Sequence, residues 1–434
     1  MDKMADVLGR AGAWCGQNKY LSAIKNAFQN FMPLTIAGAI GVLWCNVLVN
    51  DQTGLGLFFK PIMALDFLNP AFQAVNFCTI SCITVGITLG IAQEIGVWNM
   101  GAERAGYIPG LVGLAAWLSV TNTSHMVDGA KEAFTGVAGN ELGATGLFTG
   151  MIIGVLSVEL FCFFEKQDAL KIKMPEQVPP GVARAFEVLV PATITLIITA
   201  CIGSACYNLT GLYLNDVIKN GIQGPLGAVG ATIPGVMIIY LVIMLFWLVG
   251  IHGNNMLSAV KEALFTPLAL ENVEAFNKGE TPKNIINMYA LQMWGEFGGS
   301  GVTIGLVIAI MIFGKREDNK AIATLSLVPG LFNINETVTF GIPMVLNPIL
   351  GIPFVFACLV TILVGYVLTV IGFCPVACLT VPWTTPPIVF GFLACGANVM
   401  GAVTQAILIV VSTVIYVPFL ISYEKYQNKQ AAEA

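Results

Sequence analysis

Charged side chains are scarce in this chain. Asp, Glu, Lys and Arg together make up 10% of its 434 residues, while apolar side chains make up 56%; soluble domains carry about 25% charged residues. The stretch from Thr337 to Tyr423 contains no Asp, Glu, Lys, Arg or His. A single helix of that length would be about 130 Å long, whereas the hydrocarbon core of a bilayer is about 30 Å thick. The composition therefore predicts an all-α polytopic membrane protein that crosses the bilayer repeatedly.

Other absences exclude several classes of function. The net charge is −5 and the basic residues form no cluster, which argues against a nucleic-acid-binding surface. Only two histidines are present, and the cysteine pairs Cys78–Cys82 and Cys374–Cys378 have no His or acidic neighbour at metal-ligand spacing. Most cysteines lie in apolar stretches, where they are typical of small buried hydrophobic residues. We therefore expect no metal site and no cofactor.

Apolar segments long enough to cross a bilayer occur in both halves of the chain. They are expected at about 28–49, 71–92, 105–120, 143–164, 185–206, 231–251 and 297–314. Basic residues precede the first span, follow the fourth and follow the last. Because Lys and Arg accumulate on the cytoplasmic side of membrane proteins, both termini are predicted to be cytoplasmic. About ten transmembrane helices agree with this orientation, together with an amphipathic interfacial lead-in over residues 1–27.

Three apolar stretches in the second half are interrupted by Gly, Pro and polar residues. They are Gly250–Asn255, Pro329–Glu336 continuing into Gly341–Pro348, and Pro375–Pro387. A broken helix leaves backbone groups unpaired, which a membrane protein tolerates only where the backbone lines a cavity or is buried in protein. We therefore expect residues 1–225 to form a scaffold and dimerisation half with about five spans, and residues 226–434 to bind and transport the substrate.

Two ionisable residues lie within these interrupted stretches. His252 ends an uncharged span and is followed by Gly253, Asn254 and Asn255, while Glu336 is the only Asp, Glu, Lys, Arg or His between Lys320 and Glu424. Ionisable groups at membrane depth are costly and usually serve function. A histidine that caps a helix and a carboxylate paired with a buried base are the structural alternatives.

Amide and aromatic side chains near these two residues suit a sugar. Asn333 and Asn335 precede Glu336, and their amides match hydroxyl groups, which both donate and accept hydrogen bonds. Trp383, followed by Thr384, offers an aromatic face for a sugar ring, and the same pattern fits an interfacial or packed tryptophan. Arg184 follows a Pro-rich loop and fits either a phosphate contact or a charge that orients the span.

These motifs resemble the membrane subunits (enzyme IIC) of the bacterial phosphoenolpyruvate-dependent sugar phosphotransferase system, in the lactose, cellobiose and diacetylchitobiose branch. The resemblance covers nearly the whole chain in the family's order. The segments that carry it are Ala23–Leu34, Val178–Phe186, Trp247–Gly253, Gly298–Gly301, Asn333–Glu336 with Gly341–Pro343 and Asn347–Pro348, and Pro382–Pro386.

The resemblance implies a homodimer in the bacterial cytoplasmic membrane, with ten helices and two re-entrant hairpins in each protomer. In that family, a His and a Glu at the positions of His252 and Glu336 contact the sugar hydroxyl that becomes phosphorylated. The chain contains no stretch that resembles a soluble IIB domain with its phosphocysteine. The phosphorylated IIB subunit is therefore expected to be a separate cytoplasmic partner, so whether the chain itself counts as an enzyme stays open.

The residues and the resemblance together predict a transporter that carries a β-linked disaccharide and presents it for phosphorylation. One of His252 and Glu336 is expected to accept the hydroxyl proton. The predicted substrate contacts are His252, Gly253, Asn254, Asn333, Asn335, Glu336, Trp383, Thr384 and Arg184. The main alternative is a proton-coupled secondary sugar symporter, in which Glu336 and His252 relay protons. A membrane-embedded glycosyltransferase and a passive channel fit less well.

Overall fold

The computed structural model describes Arg10, Trp14 and residues 17–51, 55–125, 134–175, 177–225, 230–342, 344–345 and 347–433. Most of the predicted amphipathic lead-in over residues 1–27 lies outside these ranges. Helices contain most of the described residues, and irregular segments connect them. The strands among the described residues form one small antiparallel pair, Ser124–His125 and Phe134–Thr135.

The chain forms two compact units. The first unit contains the described residues of 17–38 and 74–227, and the second contains Arg10, Trp14 and the described residues of 39–73 and 228–434. The boundary near residue 227 falls close to the predicted division of the chain, but residues 39–73 group with the later part. The assignment of scaffold and transport roles to the two parts remains a prediction.

The helices of the first unit pack through closely spaced small residues. Its helices are Lys19–Leu43, which continues into the second unit, Ile83–Met100, Ala102–Ala105, Ile108–Val120, Gly139–Leu142, Ala144–Glu165, Asp168–Leu170, Pro180–Thr210 and Leu214–Ile218, with π-helical turns at Phe77–Ser81 and Lys219–Gln223. A Cβ added to Gly113 would come within 2.3 Å of Ala92 Cβ, and one added to Gly150 within 2.2 Å of Thr88 Oγ1. Lipid provides no hydrophobic force between helices, so such close backbone contacts supply much of the packing energy.

A stripe of isoleucines forms the core of the first unit. Ile83, Ile87, Ile91 and Ile95 follow one another at four-residue spacing along one helix and are buried. This spacing places them on one face of the helix. That face packs against the helices Ile108–Val120 and Ala144–Glu165.

The second unit contains the interrupted helices. Its elements are Trp44–Leu48, Leu55–Phe58, Lys60–Leu68, Asn69–Asn76, Ile233–Leu248, Gly253–Met256, Ser258–Asn277, Met288–Gly295, Ser300–Val302, Ile304–Phe313, Glu317–Leu331, Glu336–Gly341, Gly351–Val370, Val389–Ala394 and Val399–Glu433. The long C-terminal helix packs against Ile304–Phe313 and Gly351–Val370. The Tyr416 hydroxyl on this helix donates a hydrogen bond to the backbone oxygen of Gly301 at 2.7 Å, which fixes the turn that precedes Ile304.

Among the described residues, five helices are long and apolar enough to cross a membrane, and the number rises to seven if two bent helix pairs each count as one span. The five are Lys19–Leu48, Ala144–Glu165, Pro180–Thr210, Gly351–Val370 and Val399–Glu433. The bent pairs are Lys60–Ser81 with Ile83–Met100, and Met288–Val302 with Ile304–Phe313. The first span begins at Lys19, earlier than expected, because the polar lead-in and the apolar segment form one continuous helix.

Candidate functional site

All three stretches predicted to be interrupted are breaks between helices in the described residues. Helix Ile233–Leu248 ends before Gly250 and the next turn begins at Gly253; the chain is irregular between Leu331 and Glu336; and no helix covers the residues between Val370 and Val389. The prediction from Gly, Pro and polar residues is confirmed at these positions; of the predicted continuation Gly341–Pro348, Pro343 and Leu346 lie outside the described residues. All three breaks belong to the second unit.

His252 caps the short helix Gly253–Met256. Its Nδ1 accepts a hydrogen bond from the backbone N–H of Asn255 at 3.2 Å. The turn is tight, because a Cβ on Gly253 would lie 2.0 Å from the backbone oxygen of Ile243, so only glycine fits there. The indole of Trp247 packs on the imidazole with ring centroids 4.4 Å apart. His252 therefore caps a helix through Nδ1, as the structural alternative predicts, and its Nε2 takes no part in the cap.

Glu336 is the group that Nε2 approaches. Its Oε1 lies 3.9 Å from His252 Nε2, and the two side chains are 47% and 38% exposed respectively. Glu336 stands at the first position of the helix Glu336–Gly341, where the positive end of the helix dipole favours a carboxylate. The alternative of a carboxylate paired with a buried Lys or Arg does not describe Glu336, because no Lys or Arg of the described residues lies in salt-bridge range. The structure thus brings together the two predicted reactive groups, both accessible.

The amides of Asn333 and Asn335 are engaged with the backbone. Asn333 has a left-handed conformation with φ of 63°. Its Oδ1 accepts from the N–H of Gly298 at 2.6 Å, and its Nδ2 donates to the backbone oxygens of Trp383 and, at 3.0 Å, Thr385. The buried Asn335 donates to the Ser300 oxygen at 2.8 Å. These amides fasten the Glu336 loop to two neighbouring loops, and direct sugar contact by them remains a prediction.

Trp383 presents an accessible aromatic face beside this loop. Its side chain is 44% exposed, and Thr384 is partly exposed at its side. The following turn is held by Gln405, whose buried Oε1 accepts from the N–H groups of Ile388 and Gly391 at 2.7 and 2.8 Å. Gln405 was not found by sequence reasoning. The signal was available, since Gln405 is the only amide side chain between Val399 and Tyr423, and a buried amide must find partners.

The two other predicted substrate contacts, Asn254 and Arg184, lie in surroundings unlike those of His252 and Glu336. The Oδ1 of Asn254 is buried, and no described residue donates a hydrogen bond to it. Arg184 belongs to the first unit, where its Nη1 contacts Glu165 and Glu187, both at 2.9 Å. Arg104 joins the same two carboxylates. Arg184 is therefore part of an ion cluster, and a phosphate contact by this residue remains a prediction.

A second charged group in the second unit was missed by sequence reasoning. The ammonium of Lys261 pairs with Glu296 Oε1, and the hydroxyl of Tyr240 donates to the same oxygen at 2.7 Å. Glu296 lies two residues before Gly298, whose backbone N–H donates to Asn333 Oδ1 in the Glu336 loop at 2.6 Å. The available signal was the position of Glu296 two residues before the glycine-rich turn Gly298–Gly301. The site therefore contains two acids, one base and one imidazole, of which sequence reasoning assigned one acid and the imidazole.

Known proteins resemble this chain over nearly its full length. Residues 25–358 match the family model described as phosphotransferase system, EIIC. The oligo-beta-mannoside-specific EIIC component of Bacillus subtilis is 33% identical and covers 98% of this chain and 94% of its own length. The cellobiose-specific EIIC component of Lactococcus lactis is 29% identical and covers 98% of both chains. The crystal structure of the transporter ChbC, the IIC component of an N,N'-diacetylchitobiose-specific phosphotransferase system, matches with a TM-score of 0.88, 29% identity and 97% coverage of both chains.

Proposed function

Since this chain belongs to the EIIC family of the phosphotransferase system, we propose that it carries a β-linked disaccharide across the bacterial cytoplasmic membrane and presents it for phosphorylation. The family assignment makes the chain a membrane-embedded sugar permease that works with a IIB component. The proposed substrates are of the cellobiose, diacetylchitobiose or lactose type. The names of the relatives, which cite oligo-beta-mannosides, cellobiose and N,N'-diacetylchitobiose, support this class.

The observation that carries the proposal is the approach of His252 to Glu336. An imidazole and a carboxylate lie 3.9 Å apart, both accessible, where two interrupted helices meet. A sugar hydroxyl placed between them donates its hydrogen bond to one group, and that group accepts its proton during phosphorylation. Beside it, the indole face of Trp383 is available to stack on the sugar ring.

The chemistry follows from these positions. The sugar hydroxyl oxygen attacks the phosphorus of the IIB phosphocysteine, the new O–P bond forms as the S–P bond breaks, and the cysteine thiolate leaves. The hydroxyl proton passes to Glu336 or His252. Neither residue needs to form a covalent intermediate, so their contribution is positioning and proton acceptance.

The proposal includes an organisation of the whole chain. Each protomer has about ten transmembrane helices with two re-entrant hairpins and belongs to a homodimer surrounded by lipid. Residues 1–225 form the scaffold and residues 226–434 move the sugar. Both termini lie in the cytoplasm, where the IIB subunit meets the inward-facing sugar.

Reconstituted vesicles test the proposed function. With phosphorylated IIB on the cytoplasmic side, radiolabelled cellobiose, lactose or diacetylchitobiose is expected to accumulate as its phosphate, and without IIB no accumulation is expected. The symporter alternative predicts the reverse: a proton gradient alone would accumulate unmodified sugar. The second result would overturn the proposal.

A further inference from the structure

The pair Lys261–Glu296 is the most deeply placed ion pair of the second unit. The side chains are 6% and 16% exposed, and the partner that completes the group, Tyr240, is buried. Taking two charges out of water costs several kcal/mol for each ion, and a pair of apolar residues in the same place is often at least as stable. Stability alone therefore gives no reason for a chain with so few charges to bury this pair next to the turn that binds Asn333.

The two oxygens of Glu296 differ in their surroundings. Oε1 receives both the Lys261 ammonium and the Tyr240 hydroxyl. No described residue donates a hydrogen bond to Oε2, and this atom is not among those sealed away from solvent. The two donors therefore hold the carboxylate in place through one oxygen and leave the other able to accept a hydrogen bond.

We propose that Glu296 is a further substrate-recognition residue, whose Oε2 accepts a hydrogen bond from a sugar hydroxyl other than the one that is phosphorylated. The inference rests on the proposed function, since it assigns a role within the same sugar site. Glu296 lies two residues before Gly298, whose backbone N–H donates to Asn333 Oδ1 at 2.6 Å, and this contact holds the Glu296 segment against the Glu336 loop. Lys261 and Tyr240 act as positioning residues, because they fix the charge and the orientation of the carboxylate.

A charged acceptor held in this way makes the site selective for sugars that carry the matching hydroxyl. Hydrogen bonds to an ionised group are stronger than those between neutral groups. A site built to bind a hydroxyl rejects an analogue that lacks it, since the protein's acceptor then stays unpaired. Glu336 and Glu296 would thus recognise two different hydroxyls, the first for reaction and the second for selection.

Equilibrium binding of deoxy sugars to the purified full-length protein tests this assignment. Cellobiose, lactose and N,N'-diacetylchitobiose are compared first, and the tightest binder is then compared with its monodeoxy analogues. For the natural sequence, one analogue other than that lacking the reacting hydroxyl is expected to bind about tenfold more weakly or worse than the parent. In the double variant Lys261→Met/Glu296→Leu, which removes both charges together, the parent and that analogue are expected to bind within about threefold of each other.

The single variant Glu296→Gln provides the same comparison if the double variant does not fold. Its neutral amide is expected to reduce the discrimination to about threefold, because the charge assistance is lost. The matched control is Glu274→Gln/Lys278→Met, an exposed pair at the end of helix Ser258–Asn277, and it should preserve the full discrimination.

Two outcomes overturn the inference in distinguishable ways. If the variants weaken binding of the parent and of every analogue by one common factor, or leave all of them unchanged, Glu296 is structural and the proposed function stands. If the natural protein binds none of the three disaccharides, the proposed substrate class fails together with the inference.

Discussion

At position 336 a carboxylate occupies the first turn of a helix of six residues, with an imidazole as its nearest ionisable neighbour. Both groups combine accessibility with defined orientation. The imidazole is oriented through Nδ1 by its backbone contact, and the carboxylate by the helix on which it stands. The accessible surface of Glu336 means that its side chain contributes little to folding.

Replacing Glu336 by Gln is therefore expected to abolish sugar phosphorylation and the uptake coupled to it, with the folded state retained. The stability change should stay within about 0.5 kcal/mol, since the side chain is exposed and takes part in no described hydrogen bond. Vesicle uptake and a thermal unfolding curve measure the two effects. Glu280→Gln, at an exposed acid of the same unit, should leave both unchanged, and normal uptake by the Glu336 variant would refute its role.

His252 allows its structural and chemical roles to be separated. Asn is a favourable N-cap residue, so His252→Asn should keep the start of helix Gly253–Met256, whereas His252→Ala should lose about 1 kcal/mol from the missing cap. Both variants remove Nε2, and both are expected to lose sugar phosphorylation. Thermal unfolding together with phosphosugar formation distinguishes the roles; activity retained in the Asn variant would limit His252 to capping.

At the scale of elements, two of the interrupted stretches and the turn Gly298–Gly301 are joined by side chains that bind backbone. Asn333 connects the Glu336 loop with the turn at Gly298 and with the loop of Trp383. Gln405 fixes the far end of the Trp383 loop. The relative positions of the aromatic face and the carboxylate thus depend on a few buried amides.

Substitution of Asn333 measures this dependence. Ala loses the hydrogen bonds, each worth about 1 kcal/mol, and adds the cost of a left-handed conformation, about 1–2 kcal/mol. Gly loses the same hydrogen bonds without the conformational cost. The expected order of thermal midpoints is therefore natural protein, then Gly, then Ala, with sugar binding weakened in both variants. Equal midpoints for all three proteins would contradict a fastening role.

The structure also shows where sequence reasoning reached its limit at this scale. Gly and Pro placed the breaks correctly, because these residues act locally on the backbone. The same reasoning assigned the Asn333 and Asn335 amides to the sugar; in the structure these amides bind neighbouring loops, and their contact with sugar stays a prediction. An amide near a predicted site is chemically suited to both roles, and only the positions of the other loops decide between them.

At the scale of the whole molecule, the exterior carries many exposed apolar side chains. Leu209, Phe58 and Ile371 are examples from three separate segments. In water such a surface would associate, and it fits contact with lipid or with a second protomer. The positions of the basic residues predict how the chain is oriented in the membrane. The loop near Lys166 and Lys171 and both termini are predicted to be cytoplasmic.

Fusions test this orientation. A fluorescent protein joined to the C-terminus should fold and fluoresce in the cytoplasm, and an epitope inserted between Lys173 and Met174 should stay inaccessible to antibody in intact spheroplasts. Permeabilised cells provide the control for epitope recognition. An epitope reached from outside would contradict cytoplasmic placement of the loop and, with it, the predicted side of IIB docking.

The sequence by itself determined that the chain is a membrane protein. It also determined the positions at which the helices are interrupted, and the isolated imidazole and carboxylate that lie within those interruptions. These conclusions depend on composition and on local backbone preferences, which act without reference to the rest of the fold. Only the tertiary structure decided that His252 meets Glu336, that Asn333 fastens three loops, and that Lys261 and Tyr240 hold Glu296. The physical reason is that a buried polar group must find a partner, and the partner that it finds depends on which distant segments the fold brings beside it.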